Sequence, residues 1–193
     1  LLGEDRRIVG ISGFTVRPPR ARKEKPRVSA FTSAKLDRIV ALEPDLVLGF
    51  SDLQADIAAA LIRRGIEVHV FNQRSIADIL RMLRTLGGMV GCESRASALV
   101  AELEGALDAI RAAAARLPRR PRVYFEEWDE PQISAIQWVG EIIGIAGGVN
   151  CFPELAAMPL GRDRIMMPTR CPGRMPQEMS PRTTASTRRL ASA

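Results

Sequence analysis

Apolar positions along the chain follow two rhythms. Short unbroken runs end in glycine or polar residues, and longer stretches carry apolar side chains three or four positions apart. The run 46–50 (Leu46, Val47, Leu48, Gly49, Phe50) reads as a buried strand, and 66–71, with Ile66, Val68 and Val70, as a second. Between them Leu53, Ile57, Ala60 and Leu61 fall at helical spacing, with Gly65 placed to end that helix. A strand, a short helix and a strand over this distance make a parallel crossover unit. Upstream, 7–11 is a third strand candidate, and 35–42 a short helix that stops before Pro44.

The pattern continues beyond Phe71. Ser75 and Asp78 have capping-box spacing and open a helix with Ile76, Ile79, Leu80 and Leu83 on one face. Gly87, Gly88 and Gly91 are expected to interrupt it. The alanine-rich stretch 93–117, with Leu99, Leu103, Ala106, Leu107 and Ile110 as its stripe, predicts a helix about 36 Å long. A helix of that length can bridge two lobes. After Pro118-Arg119-Arg120-Pro121 a strand over 122–126 runs into the acidic, aromatic loop Glu127-Trp128-Asp129-Glu130-Pro131. A helix then carries Ile133, Ile136, Val139, Ile142 and Ile143, and Gly147-Gly148 close it.

Beyond residue 156 the rhythm fails. Residues 157–193 hold five prolines and five methionines with no periodicity, so this segment is expected to be disordered. It also holds most of the charge. The formal net charge is +6, and seven arginines from Arg162 onward against Asp163 and Glu178 account for +5 of it. Residues 1–156 are therefore close to neutral, and the tail has no aromatic residue. A nucleic-acid module is not expected. The 46% hydrophobic content of the 193 residues is enough for a core. No apolar run approaches the about 18 residues of a membrane-spanning helix. The chain begins at Leu1 with no basic-then-apolar leader, which points to a start upstream. Cys92, Cys151 and Cys171 have neither metal-site spacing nor an even count, and read as ordinary thiols.

Within this order of elements stand Arg7-Ile8-Val9-Gly10-Ile11-Ser12, the turn Pro26-Arg27-Val28, and the run from Asp37 through Glu43-Pro44-Asp45-Leu46-Val47-Leu48. Gly65-Ile66-Glu67-Val68, the helix 93–117, Pro121-Arg122-Val123-Tyr124, and Ala146-Gly147-Gly148-Val149-Asn150 with Phe152 follow in turn. Together these stretches resemble the periplasmic substrate-binding proteins of ABC importers in the helical-backbone class, and most closely the cobalamin-binding members. The resemblance covers residues from about 3 to 156. It implies an α/β protein, with a parallel-sheet lobe joined by a long backbone helix to the start of a second, incomplete α/β lobe. The expected divisions are 1–92, 93–117, 118–156 and the tail 157–193. Members of the class begin with a strand and helix before the Arg7 match and finish the second lobe with further elements. A frame change or shortened coding sequence is the expectation for the tail.

In open α/β sheets ligands bind beyond the carboxyl ends of strands. Those ends offer Phe14, Ser51, Asp52, Phe71, Asn72, Trp128 and Asp129. The resemblance implies a carrier, not an enzyme. It would hold a small metal chelate, cobalamin or another corrinoid first and a ferric siderophore or haem second, as transported ligand with no cofactor of its own. It implies delivery to an ABC permease, location in the periplasm or at the cell surface, and a monomer. Class members dock through an acidic residue on each lobe; Ala55 stands near that place here, and Asp52 or Asp56 could substitute. The contrasting reading is an intracellular α/β enzyme using Glu127 and Asp129. Adjacent strand residues point to opposite faces, so Glu126 and Glu127 do not converge easily. The single histidine, His69, supplies neither a zinc site nor a triad with its partners in view, and reads as a strand residue without special role.

Overall fold

The structure, a computed structural model, describes residues 1–129 and 132–158. A 3-10 turn, Asp5–Arg7, precedes β1 (Ile11–Ser12), α1 (Ala21–Glu24), β2 (Arg27–Ser29) and α2 (Leu36–Val40). Then come β3 (Val47–Phe50), a second 3-10 turn at Asp52–Gln54, α3 (Ala55–Ile62), β4 (Val68–Phe71), α4 (Ile76–Met89) and α5 (Glu93–Ala114). The remainder is β5 (Arg122–Val123), β6 (Glu126–Asp129), β7 (Gln132–Ser134), α6 (Gln137–Ile145), β8 (Val149–Asn150) and α7 (Pro153–Ala156). The fold is α/β.

Parallel pairing runs through it. β1 pairs with β2, β3 with β4 and β5 with β8, all parallel and each pair joined by a crossover that contains a helix. The β3–β4 pair is the most regular, with Val47 opposite Val68 and Phe50 opposite Phe71. Its crossover helix closes as its glycine predicts. Gly65 has a φ of +77°, and the Ile66 N–H donates to the Leu61 carbonyl at 3.2 Å, the backward bond that ends a helix once the chain turns left-handed.

Several elements differ from the sequence expectation. The strand expected over 7–11 is only Ile11–Ser12, because its partner β2 offers three residues and the register shifts between them. α4 runs through Gly87 and Gly88, ending before Gly91, whose φ is +72°. Gly87 is helical for a packing reason: a Cβ there would collide with that of Ala96 on α5. The long helix stops at Ala114, giving 22 residues and about 33 Å. Only its first half is covered, since Ala96 and Val100 are fully buried whereas Leu103 and Ile110 are exposed.

The region after Arg120 changed most. The expected strand over 122–126 is two strands, and Glu127, Trp128 and Asp129 belong to β6 rather than to a loop. β6 pairs antiparallel with β7, which takes Ile133 out of the predicted helix, so α6 starts at Gln137. Here two-residue alternation outweighs the helical spacing of the isoleucines. Ala135, Val139 and Ile143 form the local core, with Val123, Ile136 and Trp138 packed on it. α6 is also stitched to the start of α4. The Trp138 N–H donates to the Arg74 carbonyl at 2.9 Å, and the Ile76 N–H donates to Glu141 Oε2 at 2.7 Å.

Of the segment 157–193, residues 159–193 lie outside the described residues, and so does Cys171.

Candidate functional site

The carboxyl ends of β3 and β4 bring together a set of aromatic and polar groups. Phe50 closes β3, and its N–H donates to Gln54 Oε1 at 2.8 Å, while Gln54 Nε2 donates to the Phe31 carbonyl at 2.7 Å. That bridge ties the loop after β2 to the end of β3. The Phe31 and Phe50 rings lie 6.3 Å apart, tilted by 42°, within the range of favourable aromatic pairs. Phe31 is 40% exposed.

Ser51 follows in an unusual backbone conformation. Its φ of 71° and ψ of 156° belong to a region that glycine normally occupies, yet the side chain is 2% exposed. The strained turn aims the hydroxyl back into the cluster. Ser51 Oγ donates to Asp52 Oδ1 at 2.7 Å and accepts from the Leu53 N–H at 3.5 Å. The Asp52 carboxyl is held below its ordinary value, chiefly by that serine hydrogen bond, against a smaller opposing effect of desolvation. Arg74 comes in from the loop after β4. Its guanidinium donates to Ser51 Oγ at 3.4 Å and to Asp52 Oδ1 at 3.5 Å, and lies 5.8 Å from the centre of the Phe50 ring, where a cation is attracted to the aromatic face.

Arg74 is the most constrained cation of the cluster. Its side chain is 19% exposed, and its Nε, like Gln73 Oε1, is buried without a hydrogen-bond partner among the described residues. The loop that carries it is fixed at its base. Asp78 Oδ2 accepts from the backbone N–H groups of Arg74 and Ser75, each at 3.1 Å, and the Asp78 N–H donates to Ser75 Oγ at 3.0 Å. This is the predicted capping box. The two backbone hydrogen bonds lead the causes that lower the Asp78 carboxyl to about 2. Arg81 also pairs with it.

The expected site residues separate into three groups. Ser51 and Asp52 lie in the cluster, and Phe71, opposite Phe50 in the strand register, borders it. Phe71 also packs on His69, with 4.3 Å between ring centres and the rings tilted by 60°. Asn72 is exposed beyond β4. Phe14 is 69% exposed just past β1, where the Gly13 N–H donates to the Ser29 carbonyl at 2.7 Å. Trp128 and Asp129 lie in β6, opposite Ile133 and Gln132, with their side chains outside the described residues. Asp56 is exposed in the first turn of α3, one helical turn beyond Asp52.

Phe31, Phe50, Gln54 and Arg74 are the additions. Phe50, Gln54 and Arg74 sit within a few residues of an expected strand end, whereas Phe31 follows β2, where no strand was expected; an aromatic ending a strand was the signal available in the sequence. Among the described residues no three His, Cys, Asp or Glu side chains converge as metal ligands. None of the described helices is long and apolar enough to cross a membrane.

Parallel strand pairs with crossover helices, and an aromatic and polar cluster at the carboxyl strand ends, define an open α/β architecture with a candidate site at its strand ends. The chain belongs to the periplasmic binding protein family, whose model matches residues 1–166. It is 29% identical over 155 residues to the cobalamin-binding protein of Halobacterium salinarum, covering 77% of this chain and 41% of that one. It is 25% identical over 154 residues to the vitamin B12-binding protein of Vibrio parahaemolyticus, covering 78% of this chain and 55% of that one. The fold is similar to that of the periplasmic heme-binding protein RhuT from Roseiflexus sp. RS-1, solved in its apo form. There the TM-score is 0.71 at 24% identity, over 82% of this chain and 64% of that one. The chain thus spans about half the length of the curated relatives it matches.

Proposed function

We propose that this chain is the solute-capturing component of an ABC importer, and that it binds cobalamin or a related corrinoid as transported cargo. The observation that carries the reading is the cluster at the ends of β3 and β4. A corrinoid presents a wide, planar face fringed by amide groups. Phe31 and Phe50 offer aromatic surface for the face, and Ser51 and Arg74 offer polar anchors for the fringe. Phe14, Phe71 and Asn72 extend this wall, and Trp128 and Asp129 of β6 are further proposed contacts. Capture needs no bond to be made or broken, so the protein acts as a carrier, periplasmic or at the cell surface, with no cofactor of its own. Its release partner is a membrane permease, met through Asp56 in the first turn of α3, or through Asp52 in the turn before it, whose carboxylate also accepts from Ser51 and Arg74. Exposed acids there set orientation and partner choice more than affinity.

Titration of the full chain with cyanocobalamin, followed by calorimetry and by the fluorescence of Trp128 and Trp138, tests the reading. Saturable binding is expected, weakened about tenfold in Arg74→Ala through the loss of a charge-assisted hydrogen bond. Haem and a ferric siderophore are the competing arms. Saturable binding of haem alone would replace the corrinoid, and no saturable signal with any of the three would sink the carrier reading.

A further inference from the structure

Near-neutrality of residues 1–156 conceals a marked local asymmetry. Between Arg17 and Arg38 the chain carries eight Lys and Arg against only Glu24 and Asp37, a local excess of 8 − 2 = +6. Five of these cations, Arg22, Lys25, Arg27, Lys35 and Arg38, line one groove of about 620 Å³ along β2, between the end of α1 and the start of α2. The groove has no acidic lining residue. None of the five is in an ion pair among the described residues, whereas Arg7, Arg20, Arg81, Arg84, Arg95 and Arg111 all are. Ser29 and Ser33 add hydroxyl donors to the wall.

We infer that this groove is an anion site for a small ligand bearing two or more phosphate-type charges, of the class of pyrophosphate or a phosphorylated headgroup. Unpaired cations lining one concave surface repel one another and focus a positive potential. A polyanion removes that repulsion while taking forked hydrogen bonds from the arginines and point-charge contacts from the lysines. The volume lies within the range of small-molecule sites. No aromatic residue lines the groove, so the stacking platform that single-stranded nucleic acid uses is missing. The groove shares no lining residue with the cluster around Arg74, although Ala30 and Ser33 flank Phe31, and its anion chemistry does not rest on the cobalamin reading.

Calorimetric titration with inorganic pyrophosphate provides the test. Arg27→Gln with Lys35→Gln should weaken binding about tenfold, the combined effect of two partly solvated charges. Arg63→Gln with Arg64→Gln, which removes the same charge from the exposed end of α3, should leave binding unchanged. Cobalamin titration of both variants reports whether the other site is intact. Binding to vesicles containing cardiolipin, whose headgroup bears two phosphates, that pyrophosphate displaces and the groove variant loses also supports the site, and assigns its source to a headgroup. Absence of saturable pyrophosphate binding, or equal loss in both double variants, overturns it. An oligonucleotide that binds through the groove more tightly than pyrophosphate overturns the small-ligand assignment.

Discussion

Ser75 and Asp78 hold the loop that presents Arg74, and both can be tested singly. Ser75→Ala removes the hydroxyl that accepts from the Asp78 N–H and is expected to cost about 1 kcal/mol in urea denaturation. Asp78 gives a pH signature. Its carboxyl is lowered from 3.8 to about 2 in the folded protein, so the folded state releases the proton more readily than the unfolded one. The stabilisation is complete above the ordinary value and fades as pH falls through about 2. Denaturation curves across that window should therefore slope in the native sequence and flatten in Asp78→Asn. At Ser51 the expected outcome is a direction. Ser51→Ala removes the leading cause of the lowered Asp52 carboxyl, so its titration, followed by NMR, moves back upward.

Gly87 and Gly88 are neighbours in α4 with opposite surroundings. A Cβ at Gly87 would meet Ala96, and one at Gly88 would meet nothing within 4 Å. Gly87→Ala is expected to cost about 1–3 kcal/mol by forcing α4 from α5, and Gly88→Ala to add about 0.5–1 kcal/mol by restricting the unfolded chain. Thermal melts of the pair give shifts of opposite sign. The sequence marked both only as breakers, because a glycine needed for close helix packing has the same letter as one that ends a helix. Other elements read more directly. The β3–α3–β4 unit combined apolar runs, helical spacing and a capping glycine, all pointing to one structure, and it formed as expected. At Ile133 two rhythms competed, and a short hairpin is decided by pairing partners that local spacing does not reveal.

Across the molecule, the sequence identified the strand ends that matter but not which side chains meet there. Ser51 and Asp52 were legible because they follow a clear strand. Arg74 was not, since its value comes from Phe50 and Ser51, more than 20 residues away in sequence. The basic groove escaped for a related reason: a total charge says nothing about how unevenly it is spread. The seam between α4 and α6 is likewise a long-range product, joining positions 65 residues apart. Glu141→Ala leaves the Ile76 N–H without its acceptor and should cost about 1–3 kcal/mol, with faster hydrogen exchange at that amide. The seam also bears on how quickly a ligand is caught. If the start of α4 and α6 move as one piece, capture is a single bimolecular encounter with no preceding isomerisation. Stopped-flow traces should then be single exponentials whose rate rises in proportion to ligand concentration without reaching a plateau.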